Sequence, residues 1–366
     1  MAKVSVVLVG CGCPLRSMGW YHAMQLLDNR IDDAALAYVV EPWYFSPSAD
    51  GTPGHSEFHE WARKTKESNG VEFFYTVEEV PAPADGDIRL AIISSRTADN
   101  PKLLDECLKI GCKAIYLEKP GAPTVSELEA MKSKADAAGV KVFMGFNKNV
   151  SSYLTFSREL VDKAEQKCDV TFLHNNNYPN TEAELAECFE RNAEGMLKNM
   201  AIHELAILVT YYGVTVDTID KVEADKDFSS CKTLKGPASG KNFTDFDKLK
   251  FKIVTKDGIE VNVAADRCGG DDSVGIVSNA DSGDELARFT MPDEATVANT
   301  DALKLKYGDA MPYFFAQDPD YLKLKKLVVK NCVDGSPAEG VADIETAVET
   351  LKVAEYLTPI LTKQLQ

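Results

Sequence analysis

The chain has 366 residues, 45% hydrophobic and 27% charged, enough for two domains of ordinary size, each with its own core. A formal net charge of −17 argues against nucleic acid or an anionic membrane surface as a partner, and no apolar run has the length of a membrane span. Nine cysteines without regular spacing read as reduced thiols, and the opening apolar segment lacks a signal-peptide pattern, so a cytoplasmic protein is expected.

The first predicted strand, Val4–Val9, runs into Gly10-Cys11-Gly12, and a third glycine follows at Gly19. A strand, a glycine turn and a helix in that order let the backbone approach a pyrophosphate, whose charge rests on free amides at the helix N-terminus. The turn is wider than the usual fingerprint because Cys13-Pro14-Leu15-Arg16-Ser17 is inserted. Arg16 either adds a cation beside the phosphates or faces solvent. The second strand, 36–40, ends at Glu41, where an acid accepts hydrogen bonds from both ribose hydroxyls and repels a 2′-phosphate. NAD is therefore expected in preference to NADP.

Further strands are predicted at 71–75, 88–94, 114–117 and 140–145, with helices at 101–110 and 124–138 between them. This alternation specifies a parallel, doubly wound sheet over residues 1–149. Beyond Asn149 a helix is expected at 151–166, a strand at 169–174, and one long helix from about 182 to 212. Strands at 219–224, 251–255, 259–263 and 285–291 follow, the middle pair joined by the hairpin turn Lys256-Asp257-Gly258. Residues 226–242 read as a mobile loop, and helices near 320–331 and 343–362 complete the pattern. The fold class is α/β: an N-terminal Rossmann domain, then an α+β domain over 150–366 with an open, mainly antiparallel sheet, its C-terminal helix free to pack back on the first domain. The broad face of the 249–265 hairpin needs a cover, which suggests a homodimer or homotetramer.

The loop after strand 114–117 carries Glu118-Lys119-Pro120 at the carboxyl end of the sheet, where open α/β folds bind ligands. The Lys119 ammonium can bond a substrate oxygen, and partial burial beside a nicotinamide suits it to carry a proton. Asn199 and His203 stand four residues apart, which places amide and imidazole on one face of a helix. His55 and His59 share that spacing without a third ligand, so no metal site is expected.

Taken together, these pieces resemble the Gfo/Idh/MocA family of NAD(P)-dependent oxidoreductases over nearly the whole chain. The matching segments are the glycine turn followed by His22-Ala23, the run Glu118-Lys119-Pro120-Gly121-Ala122-Pro123-Thr124, the strand end Gly145-Phe146-Asn147-Lys148, and the helix motif ending in His203. The resemblance implies that Lys119 and His203 flank the nicotinamide during hydride transfer between a carbinol carbon and C4 of the ring. Lys119 would stabilise or accept the hydroxyl proton, and His203 would bond the same oxygen or relay that proton. The implied cofactor residues are Gly10, Gly12, Cys13, Arg16, Gly19, Glu41, Ser94, Ser95, Arg96, Glu118 and Lys119. Candidate substrate residues are Lys148, Asn177, Tyr178, Asn199 and His203. The chain departs from the family at Asn199 and Ala206, where members often carry aspartates, and at Ser94-Ser95-Arg96-Thr97, in place of a Thr-Pro. The implied function is an NAD(H)-dependent oxidoreductase acting on a sugar, polyol or related small hydroxy or carbonyl compound. The missing acids leave two alternatives open: a non-catalytic dinucleotide sensor, and a hydrolase or lyase that retains its NAD.

Overall fold

The computed structural model describes residues 3–366; residues 1 and 2 of the expected first domain lie outside them. In chain order the first elements are β1 (Val4–Val9), α1 (Met18–Leu27), β2 (Ala34–Val40), α2 (His55–Asn69), β3 (Glu72–Phe74), β4 (Ile88–Ile93), α3 (Asn100–Lys109), β5 (Ala114–Leu117), α4 (Val125–Ala138) and β6 (Lys141–Met144). Their strands form one parallel sheet in the order β3-β2-β1-β4-β5-β6. β1, β4 and β5, apolar except for Ser5 and the buried Arg89, are almost wholly buried, as strands covered on both faces must be. Local signals set the helix ends: the Thr124 hydroxyl accepts the Glu127 N–H at the start of α4, and Gly139, with φ 66°, closes it.

The chain then builds a second unit, residues 148–295 with 348–366. It comprises α5 (Ser152–Lys163), β7 (Cys168–Asn175), α6 (Glu182–Arg191), α7 (Met196–Asn199), α8 (Ile202–Tyr212), β8 (Ile219–Ala224), β9 (Ser230–Lys235), β10 (Asn242–Thr255), β11 (Glu260–Asp266), β12 (Ser273–Asn279) and β13 (Glu285–Met291). Seven strands pair in the order β13-β12-β7-β11-β10-β8, with β9 on β10. Only β7 and β11 run parallel; every other pair is antiparallel. Alternation along β10 sends Leu249, Phe251 and Ile253 into a core with Phe172, Val261, Val263, Leu205 and Leu208, while Lys248, Lys250 and Lys252 take the other face.

Three expectations need correction. The single helix at 182–212 is three helices, because the chain breaks after Arg191 and turns at Gly195, whose φ of +89° no ordinary helical residue adopts. Residues 226–242 are not a loop: 230–235 forms β9, paired with β10 and fastened by the hydroxyls of Thr233 and Thr244 at 2.7 Å. The second domain also does not hold all of 150–366.

After β13 come α9 (Glu294–Tyr307), α10 (Pro312–Ala316), α11 (Asp318–Asp334) and α12 (Ile344–Leu365), and Thr296–Ala347 belongs with the first unit. There α11 lies against β1 and β4. Its first residue, Asp318, accepts hydrogen bonds from Tyr21 (2.5 Å), Gln25 (2.7 Å) and Arg30 (2.8 Å). The helix that returns to the Rossmann sheet is therefore α11. The later residues of α12, including Val353, Leu357 and Leu361, complete the core of the second unit. No helix among the described residues is long and apolar enough to cross a membrane.

Candidate functional site

In the first unit the strand order reverses between β1 and β4, and the loops leaving their carboxyl ends define the crevice where such sheets bind ligands. Gly10 opens this loop with φ +81°, and a Cβ there would stand 2.2 Å from the Ser95 hydroxyl. A Cβ on Gly19 would stand 2.1 Å from the Gly10 carbonyl, so α1 reaches the turn only because that residue has no side chain. The helix starts at Met18, and residues 13–17 form a separate turn in which the Cys13 N–H donates to the Ser17 hydroxyl at 2.9 Å.

Glu41 at the end of β2 is buried and accepts the Gly12 N–H at 2.6 Å and the Trp43 N–H at 3.1 Å. Burial pushes its carboxyl pKa up against these backbone bonds. Gly10, Gly12, Gly19, Glu41 and Ser95 thus come together, and the Ser94 N–H continues the ladder to the Val9 carbonyl at 2.8 Å. Arg16 instead pairs with Glu57 of α2 at 2.9 Å with its side chain half exposed, which is the solvent-facing alternative. Arg96 lies over the Trp43 ring, 5.7 Å from its centroid, so the loops after β2 and β4 share a cation–π contact. Trp43 was missed in the sequence; its signal was an aromatic two residues past the acid. A turn that only glycine fills, with a buried acid beside it, fits a dinucleotide.

Glu118 and Lys119 follow β5. Glu118 Oε1 accepts a bond from His22 Nε2 at 2.9 Å and from the Tyr116 hydroxyl at 3.0 Å, and Lys325 of α11 sits 2.8 Å from His22 Nδ1. Burial is the largest single influence and pushes the Glu118 carboxyl up, but His22, the Tyr116 bond and the Lys119 charge together outweigh it and the net shift is downward. Burial and the Lys325 charge hold His22 down at about 4, and burial brings Lys325 to about 7. Gly145 leaves room for Glu118, since a Cβ there would be 2.8 Å from its carboxylate.

In the second unit a buried cluster surrounds Glu204, the residue after His203 on α8. Lys148 Nζ bonds Glu204 Oε1 at 2.8 Å, and His174 Nδ1, at the end of β7, lies 3.2 Å from Oε2 and 3.1 Å from the Met200 carbonyl. Both partners of that nitrogen are acceptors, so Nδ1 carries a proton. Burial raises the Glu204 carboxyl, but Lys148 and His174 outweigh this and hold it well below the usual carboxylate range. The rings of His174 and His203 are 6.3 Å apart and nearly perpendicular.

Asn199 and His203 do not share a helix face. Asn199 ends α7, His203 lies in the first turn of α8, and the Asn199 amide donates to Glu194 at 2.8 Å. Lys148 is 3% exposed and held by Glu204. Tyr178 accepts from Arg191 at 3.1 Å, and Asn177 bridges to Cys268. Glu204 and His174 were missed as site residues; the one signal for Glu204 was an acid opening an otherwise apolar helix.

A parallel sheet of this order with a glycine turn at its reversal point, followed by a mixed open sheet, defines the class: a Rossmann fold with an appended α+β unit. Residues 55–146 match the model of the Gfo/Idh/MocA family, an oxidoreductase family with an NAD-binding Rossmann fold. A myo-inositol dehydrogenase from Corynebacterium glutamicum shares the fold with TM-score 0.69 and 18% identity, over 99% of this chain and 97% of its own. A scyllo-inositol dehydrogenase from Lactobacillus casei, with bound cofactor NAD(H) and scyllo-inositol, does so with TM-score 0.69 and 14% identity, over 99% and 97%. No curated protein matches the chain in sequence.

Proposed function

We propose that the protein is an NAD(H)-dependent oxidoreductase that transfers a hydride between the nicotinamide and a secondary alcohol or carbonyl of a polyol, sugar or related small hydroxy compound. The observation that carries this reading is the Gly10–Gly19 turn closed by Glu41, with Lys119 at the carboxyl edge of the same sheet. The inositol dehydrogenases of the same fold favour a polyol substrate. The dinucleotide supplies the hydride acceptor or donor. The main-chain amides of the glycine turn hold its pyrophosphate, and Glu41 binds its ribose hydroxyls, which favours NAD over NADP.

Lys119 takes the proton from the reacting hydroxyl, and His203 bonds the same oxygen. Asn177 and Tyr178 meet the other hydroxyls, while Lys148 and Asn199 shape the site from their places beside Glu204 and Glu194. The functional form is a cytoplasmic homodimer or homotetramer.

The test follows NADH formation with a panel of polyols, sugars and hydroxy acids. Lys119→Ala and His203→Ala are each expected to lower kcat about 10²- to 10⁴-fold while NADH still binds. Undiminished turnover in either variant overturns the roles. Cofactor that neither exchanges nor accumulates as NADH during turnover identifies the NAD-retaining hydrolase or lyase, and binding without any turnover identifies the sensor.

A further inference from the structure

Lys325 is a cation in the core of the first unit that the proposed reaction does not use. It is 1% exposed, and His22, its partner, is fully enclosed. The groups around it come from each neighbouring element: His22 from α1, Tyr116 and Glu118 from β5 and its loop, Tyr321 on its own helix, and the Asp318–Arg30 pair beyond. The ammonium lies 5.3 Å from the centre of the Tyr321 ring and 5.8 Å from that of Tyr116, which offsets part of the cost of removing a charge from water. A leucine or methionine would fill such a position at no such cost.

The direction of each bond follows from what each group is able to do. While it is charged, below its lowered pKa of about 7, the Lys325 ammonium has donors only, so at 2.8 Å it donates to His22 Nδ1, which is then the bare nitrogen. An ionised carboxylate only accepts, so at 2.9 Å Glu118 Oε1 takes the Nε2 proton. Both ends of the chain therefore demand the same neutral tautomer. Tyr116 adds a second donor to that oxygen. Two donors on one oxygen hold Glu118 ionised and fixed, and its charge attracts the next residue, Lys119.

We propose that Lys325 is a positioning residue for the Glu118-Lys119 turn: it fixes the His22 tautomer, His22 holds the Glu118 carboxylate in place, and that carboxylate keeps the Lys119 ammonium against a neighbouring negative charge. The inference rests on the reading of Lys119 as the proton carrier. It adds a residue more than two hundred positions away in the chain.

The test begins with the full-length protein without cofactor, labelled with ¹⁵N-histidine, its five imidazoles observed by NMR and His22 assigned by its absence in His22→Gln. The expected result is a neutral His22 protonated on Nε2 from about pH 8 to about pH 5. An Nδ1-protonated ring in the unmodified protein overturns the proposal without any variant. In Lys325→Met, or Lys325→Gln should the first not fold, the His22 titration is expected to rise by about one pH unit or more, and Lys325→Arg should reverse much of that rise. An unchanged titration overturns the proposal.

The second readout is kinetic. Lys325→Met is expected to lower kcat about tenfold and displace its pH profile with the NAD KM unchanged, and Lys325→Arg should restore part of the loss. A wild-type kcat and pH profile in Lys325→Met overturns the positioning role. Failure of the Lys119 reading is seen separately, as turnover that survives Lys119→Ala, and failure of the oxidoreductase reading as no NADH formation by the unmodified protein with any of the panel.

Discussion

One carboxylate organises the buried polar side chains beside α8. Glu204 holds Lys148 from 56 residues earlier and His174 from 30 residues earlier, and its α8 neighbours other than His203 are apolar. Its folded pKa lies below the ordinary 4.5, so its contribution to stability is present above pH 4.5 and is lost as the pH falls beneath that value. Glu204→Gln removes the contribution and leaves Lys148 buried without its counter-charge, at a cost of about 3–5 kcal/mol. Urea unfolding at neutral pH should show this loss, and the variant should lose less than the wild type on further acidification; equal slopes contradict it. Sequence reasoning found the histidine and passed over the acid beside it. It looked for carboxylates at Asn199 and Ala206, where the resemblance placed them, and an acid at 204 reads as an ordinary polar residue until β7 and residue 148 are seen to converge on it.

At the scale of the element, apolar spacing revealed that helix occupies most of 182–212 and concealed where it breaks. Leu185, Phe189, Met196, Leu205 and Leu208 are all buried, so the hydrophobic pattern runs on across the interruption. What fixes the break lies elsewhere in the chain: Asp245 of β10 accepts the Met196 N–H at 3.0 Å and bonds the buried Arg267 guanidinium at 2.7 Å. The same carboxylate thus caps α7 and neutralises an interior cation. Asp245→Ala should cost about 3–5 kcal/mol and lower the melting temperature, and Arg267→Met in the same chain should recover part of the loss. A double variant no more stable than the single one rejects this coupling. β9 escaped notice for a related reason: its strand is short and polar, and only its pairing with Asn242–Phe246 makes it regular.

For the whole molecule, the N-terminal sheet was legible because buried parallel strands announce themselves as short apolar runs between helices, whereas the return of 296–347 was not. That return depends on Tyr21, Gln25 and Arg30 meeting Asp318 nearly three hundred residues later, a match that no local pattern encodes. A fragment of residues 1–149 is therefore expected to express as an aggregated or molten species, because the faces of β1 and β4 covered by α11 lie bare. Joining residues 296–347 to it through a flexible linker should restore dispersed amide resonances, and a well-folded 1–149 fragment would refute the argument. The same connectivity shapes biosynthesis. Ile93 leaves the ribosome 225 residues before Asp318, an interval on the order of 10–45 s at ordinary translation rates. For that time the nascent nucleotide-binding half lacks its closing helix, and the other half likewise waits for Val353–Leu361. Both cores close only when the last two helices emerge, so a cell making this protein must shield two unfinished halves at once.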